Sequence, residues 1–309
     1  WSSDVCSSDL LLFIIMKNQI TLIPTNAIYS MLKASTLIGL CWNLLCSVNV
    51  LKTFSFDTVA GIPIFSQRPD HFGIVAAIGI VVWSRSVIES DKKHFLELIV
   101  PVFFILEVIL LPSRAGFLAM TVGLFFLLTH YYRRNLLRII FFMITLVTTS
   151  VLLSSAIYSL LPEVSVVKKT IRFADNLNVL EQGAGTARGR ILGQSALLNW
   201  VSSNNLEFIG GGPGREILNE SGAVRWLSGN IDTRFPHNWW ISIYGRFGIL
   251  GILLWAFTFL FIWRENFVRF FNFSNSIIFA IFVASTFGVI IESPFGLIPL
   301  YFFLMRNNL

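Results

Sequence analysis

The sequence predicts an all-α, polytopic transmembrane helix bundle with one large extracytoplasmic loop containing short amphipathic helices. Three observations predict it. Of the 309 residues, 55% are hydrophobic and only 13% are charged, with mean hydropathy +0.72; a soluble domain carries about 25% charged residues. Apolar runs of membrane-spanning length recur along the chain. A polar stretch, residues 162–236, interrupts them, carries clustered Arg and Gly, and leads into His237-Asn238.

The elements follow in order. Trp1–Asp9 has an odd Ser-Ser-Asp repeat, reads as a non-native or disordered leader like a translated adaptor, and is set aside from fold reasoning. Leu10–Met16 then reads as the end of a truncated span, with part of the native N-terminus missing. Residues 10–309 read as a single membrane domain. Spans are expected near 31–51, 72–88, 94–112, 115–131, 138–161, 238–263, 276–291 and 294–305. The last is short and is expected to be clipped or tilted.

Charge orients this ladder. One set of connectors holds Lys33, Arg85, Lys92, Lys93, Arg133, Arg134, Arg138, Arg264, Arg269 and Arg306, and the opposite short connectors hold only Lys52, Arg68 and Arg114. The positive-inside rule makes the rich side cytoplasmic and the 162–236 loop extracytoplasmic. The expected topology is multi-pass. Formal net charge is +6, but no soluble nucleic-acid-binding module is visible. Cys41 and Cys46 share one apolar span and read as small buried hydrophobes; with Cys6 they form no disulfide framework or metal pattern.

Within the loop, Pro162 ends the preceding helix. Gly183-Ala184-Gly185 breaks the chain, and Thr186 is placed to cap a helix over about 187–202. That helix carries Ile191, Leu192, Leu197, Leu198 and Val201, with Trp200 suited to an interface, so it is expected to lie on the membrane surface. Gly210-Gly211-Gly212-Pro213-Gly214 reads either as a tight turn or as a nest of N–H groups for an anion. It is not a P-loop, because no Lys-Ser/Thr follows.

Arginine suits bidentate phosphate recognition and stays charged near lipid. The loop holds Arg172, Arg188, Arg190, Arg215, Arg225 and Arg234, each a candidate for an anionic substrate or for lipid headgroups. His237 sits at the mouth of a span, followed by Asn238 and Trp239-Trp240. It reads either as a general base or as an interfacial His satisfied by backbone or water. Arg114 lies at a turn after Pro112 and faces a cavity or snorkels to headgroups. Lys33 and Glu97 are expected to snorkel, Glu107 needs a partner that the sequence does not name, and Glu292 is placed to reach the outer cavity. The four His residues form no metal set, so no metal and no cofactor are expected.

Three pieces together resemble the bacterial O-antigen ligase and O-antigen polymerase family. They are Ser113-Arg114-Ala115-Gly116; Gly189-Arg190 with Ala196-Leu197 and Ile209-Gly210-Gly211-Gly212-Pro213-Gly214; and His237-Asn238 with Gly248 and Gly251 downstream. Two slots depart from the family pattern: Gln194 where an aromatic is common, and Arg246 where an acidic residue is common. The resemblance implies metal-independent glycosyl transfer at the outer face of the inner membrane. Its donor would be a glycan on undecaprenyl pyrophosphate, and its acceptor a glycan or lipid A-core. It gives Arg190 the donor pyrophosphate and His237 the acceptor hydroxyl proton. Arg234, Arg188, Arg114, Arg215 and Asn238 are the supporting substrate-binding set. Membrane lipids and proteins of glycan assembly and chain-length control are the expected partners. The rival from another class is a transporter or flippase of a lipid-linked or anionic solute.

Overall fold

In the computed structural model, residues 24–47, 58–59, 62–63, 69–90, 95–110, 114–160, 186–227, 238–267, 270–286, 299–300 and 303 are described. The expectations for 1–23, 161–185, 228–237 and 287–298 lie outside them. Apart from one two-residue antiparallel ladder, β1 (Thr58–Val59) with β2 (Ile62–Pro63), every described element is helical.

Seven long helices carry the apolar runs. They are α1 (Thr25–Ser47), α2 (Pro69–Glu89), α3 (Phe95–Leu110), α4 (Arg114–Tyr132), α5 (Leu136–Leu160), α9 (Trp239–Phe267) and α10 (Phe273–Ser285). Three more, α6 (Thr186–Ser203) and the single-turn α7 (Ile217–Glu220) and α8 (Val224–Leu227), lie between α5 and α9. By length and hydropathy alone, four stretches are able to cross a membrane: Asn26–Leu45, Phe72–Glu89, Ala115–Ser150 and Trp239–Phe261. A 3-10 turn, Arg133–Asn135, interrupts the third between α4 and α5.

The bundle centres on α2, α4 and α10, which make the most extensive contacts; α3 and α1 pack on α2. In lipid there is no hydrophobic drive to join helices, so close approach and dispersion must do it. Small residues permit that approach. A Cβ on Gly116 of α4 would sit 2.6 Å from the Gly73 backbone of α2. Gly123 faces Val81 and Ala280, and Gly79 faces the Phe104 ring. These contacts fix directions: α3 and α10 run opposite to α2 and α4.

One end of the bundle gathers the basic residues with their partners. Lys33 Nζ donates to Ser86 and lies 3.4 Å from Glu97, over the Tyr29 and Trp83 rings. Arg85 pairs with Glu89 at 2.9 Å and covers the Phe273 ring, and Tyr131 donates to Glu89. Lys33 and Glu97, expected to snorkel, are thus also partners of one another. They meet, because antiparallel α1, α2 and α3 bring positions 33, 86 and 97 to one level. Glu107 receives its partner too: Asn43 of α1 donates to it in the buried interior. Cys41 is exposed on the flank of α1 rather than buried.

Candidate functional site at the opposite end of the bundle

The opposite end carries the first residue of α4, Arg114, together with α6, α7, α8 and the start of α9. Leu197 and Val201 of α6 pack with Ile217, Leu218, Ala223 and Val224 in a second apolar cluster, against Ile241 and Tyr244 of α9. The expected surface helix thus turns its best apolar residues toward protein, leaving Ile191 and Leu198 exposed. Trp200 lies beneath the Arg215 guanidinium and beside Gly211, inside this cap.

The decisive feature is in α9. Gly248 has φ 61 and ψ −159, a conformation open to glycine and essentially closed to other residues. The helix does not continue through it. Trp239 and Trp255 would stand about 24 Å apart along a straight helix, yet their ring centroids are 4.4 Å apart. The first arm, Trp239–Phe247, is therefore folded back on the second, and the run expected as a span over 238–263 is a hairpin. Trp239, Trp240, Trp255, Phe259 and Phe282 fill the angle between the arms and α10. Aromatic pairs of this kind contribute about 0.5–1.5 kcal/mol each beyond their burial.

Breaking a helix strands its backbone groups, and in lipid each stranded group costs several kcal/mol. Here residues Glu207–Gly212, which follow α6, replace them. Ile249 N donates to Glu207 O at 2.8 Å and Leu250 N to Phe208 O at 3.1 Å. Gly211 N donates to Gly245 O at 2.9 Å and Gly212 N to Arg246 O at 2.8 Å. The helical pairs 245–249 and 246–250 are both severed, and this strap satisfies all four groups. Arg246 adds a bond from its guanidinium to Pro213 O at 3.3 Å. The N–H groups of Gly211 and Gly212, read in the sequence as a possible anion nest, are thus committed to helix carbonyls, and that of Gly210 to Leu206 O.

The strap also sets direction. Leu197 of α6 touches Gly245 of the first arm, and the chain after α6 bonds across the hairpin apex. Both helices therefore reach the apex with their C-terminal ends and meet at the Leu197–Gly245 contact. Arg190 lies seven residues before Leu197, and Asn238 lies seven before Gly245. At about 1.5 Å per residue, each is roughly 10 Å from that contact along its own helix.

Of the candidate residues, Arg190 is half-buried near the start of α6. Gly189 before it lies against the Trp226 carbonyl, which a Cβ would displace, so α6 and α8 are locked beside this arginine. Asn238 caps α9, its Oδ1 accepting from Ile241 N at 3.2 Å. Arg215 is engaged by Glu220 through two bonds, at 3.1 and 2.6 Å. Arg225 is exposed on α8. The Arg188 and Arg114 side chains, and Arg172, Arg234, His237 and Glu292 altogether, lie outside the described residues. What sequence reading missed is the strap. Its available signal was the row Gly245, Gly248, Gly251, three small residues at three-residue spacing inside one apolar run.

Comparison with known proteins gives one match. A family model described as O-antigen ligase covers residues 99–256, from α3 through the α9 hairpin. No curated protein and no solved structure matches the chain. The matched segment is more than half of the 309 residues and includes the first arm of α9 and the break at Gly248, and the chain belongs to the O-antigen ligase family.

Proposed function

We propose that this protein transfers or polymerises a glycan carried on undecaprenyl pyrophosphate at the outer face of the inner membrane, as an O-antigen or exopolysaccharide polymerase or an O-antigen ligase. The family supports glycosyl transfer in the membrane. The observation that supports the specific site is the Leu197–Gly245 contact between α6 and the first arm of α9. Arg190 and Asn238, the residue after His237, each lie seven residues before that contact in their own helices. The positive-inside rule assigns the Lys33–Arg85 end to the cytoplasm, which leaves this cap outside.

In the reaction, an acceptor hydroxyl attacks the anomeric carbon, and the bond from that carbon to the pyrophosphate oxygen breaks. His237 takes the hydroxyl proton as general base. Arg190, with Arg188, Arg234 and Arg114, neutralises the charge that grows on the leaving lipid pyrophosphate. Asn238 holds the start of α9. The donor carries its own leaving group, so the step needs no added cofactor. Arg215 is assigned to the cap itself, since Glu220 already occupies its fork. Acceptors are a growing glycan or lipid A-core, and chain-length-control proteins are natural partners.

One observation favours the rival transporter: α9 is a broken helix, a common transporter element. Its break, however, is bridged by the strap, whose backbone groups take up the severed helix bonds. The test is polymer length, or transfer of lipid-linked glycan, in cells carrying His237→Ala or Arg190→Ala at equal protein level. Each is expected to reduce transfer about a hundredfold. Unchanged product from both removes the enzyme reading; lost solute uptake with intact glycan installs the transporter.

A further inference from the structure

We propose that Gly248 and the Glu207–Gly212 strap are positioning elements for transfer: the strap holds the first arm of α9 folded back and so fixes Asn238 at its start, while joining that arm to α6, the helix of Arg190. The inference rests on the glycosyl-transfer reading above.

The backbone groups at the break have two alternative sets of hydrogen-bond partners. Without the strap, Gly248 is free to adopt ordinary helical angles, as glycine readily does. Ile249 N would then return to Gly245 O and Leu250 N to Arg246 O, restoring a continuous helix. Trp239 would swing from contact with Trp255 to about 24 Å from it. The hairpin therefore exists because Glu207 O and Phe208 O hold one arm while Gly211 N and Gly212 N hold the other. Close backbone approach makes the clamp specific: a Cβ on Gly248 would meet Phe208 C and O at 2.5 Å, and one on Gly210 would overlap the Arg246–Phe247 backbone. Folding back also carries Asn238 away from the apex, toward the level of Trp255. Misplacing a reacting group by about 1 Å costs up to roughly a hundredfold in rate. A swing of the whole arm costs more.

The strap leads directly out of α6, the helix of Arg190, through Ser203–Leu206, with Leu206 N bonded to Val201 O at 2.9 Å. One short segment thus ties both halves of the site together. Its own side chains, Phe208 and Ile209, are exposed. They serve as handles for a test rather than as contacts to substrate.

The experiment uses full-length protein in native membranes, with the pair Phe208→Cys and Leu250→Cys across the strap. An oxidant is expected to close this disulfide in an otherwise unaltered chain, with transfer retained. Gly212→Ala strains only the strap, because a Cβ there meets nothing within 4 Å while φ is +90. It is expected to lower transfer about tenfold. In the triple variant, oxidation should pin the strap and restore transfer, and reductant should abolish the rescue. Gly248→Ala should lose both the disulfide and transfer at unchanged protein level. If that variant does not accumulate, the Gly212→Ala redox rescue decides the matter. Failure of the disulfide to form in the parent background overturns the clamp. Full transfer in Gly212→Ala, or transfer indifferent to oxidation, overturns the positioning role. Because closure of the disulfide does not depend on glycan chemistry, a failure of the transferase reading stays separable: the disulfide would form while His237→Ala and Arg190→Ala change nothing.

Discussion

The bundle and the cap solve the same problem, close packing without a hydrophobic drive from lipid, in opposite ways. In the bundle, Gly73, Gly79, Gly116 and Gly123 are small so that straight helices come close, and their hydrogen bonds remain internal. In the cap, Gly210 and Gly248 have positive φ so that a helix can be opened and its bonds handed to another segment. The first use of glycine gives a rigid frame. The second gives a shape that exists only while its partner is docked. It follows that a glycine substitution in the frame should act on accumulation of the protein, and one in the cap on local order and transfer.

The largest expected effect is in the frame. Gly116→Val puts branched carbons where the Gly73 backbone already stands, and backbone cannot rotate away. Overpacking typically costs about 1–3 kcal/mol and more where backbone must move. The variant should fail to accumulate, or melt far below the parent in detergent. A normal melting profile would mean that α2 and α4 do not approach as closely as described.

Next comes the cap. Gly210→Ala forces a Cβ onto the Arg246–Phe247 backbone at a φ of +70. Strained positions of this kind cost about 1–3 kcal/mol. The cost should be local. Hydrogen exchange should quicken at 206–212 and 245–250 while α2, α4 and α10 keep their protection. Uniform loss of protection would show that frame and cap unfold as one unit, and would erase the distinction.

The frame was far more legible than the cap. Hydropathy marks apolar segments because the bilayer demands about twenty apolar residues wherever a helix crosses, and charge asymmetry groups Lys33, Arg85, Arg133, Arg134 and Arg264 before any contact is known. The same pattern gives no hint of which polar side chains meet. Asn43 lies 64 positions from Glu107, and nothing local names it. The hairpin was hidden for a different reason. Trp239–Phe261 is apolar enough to read as one crossing, and a glycine at 248 is compatible with helix, kink or reversal. Only the pairing with residues 34 and 42 positions earlier decides among them. Arg190 is proposed from its motif alone, whereas the commitment of Arg215 to Glu220 depends on the short helix α7 bringing them together.

A middle-sized effect sharpens the frame. Asn43 and Glu107 join α1 to α3 inside the bundle, and the two carboxylate oxygens are unequal: Oε1 accepts from Asn43, while Oε2 is buried without a partner among the described residues. Asn43→Leu should destabilise by about 1–2 kcal/mol, the scale of interhelical polar contacts in membranes. Glu107→Gln keeps a hydrogen-bonding carbonyl for Asn43 and should cost less. Equal losses from the two, measured as detergent melting temperatures, would show that the charge and not the bond joins these helices.

The smallest effect returns to the cap. Arg215 and Glu220 are paired at 2.6 Å, but their side chains are 52% and 35% exposed. Exposed pairs contribute less than about 1 kcal/mol, since water competes and salt screens them. The guanidinium also covers Trp200, 5.4 Å from the ring centroid, which supports the floor under Gly211 and the strap. Arg215→Ala should therefore leave melting nearly unchanged and reduce transfer less than about threefold, far below the losses expected for Arg190→Ala. Arg215→Lys should be closer still to the parent, because a lysine stem covers the indole as well. A loss from Arg215→Ala as large as that from Arg190→Ala would mean that Glu220 releases this guanidinium to the donor, and the anion-binding set would then extend from the start of α6 to the strap itself.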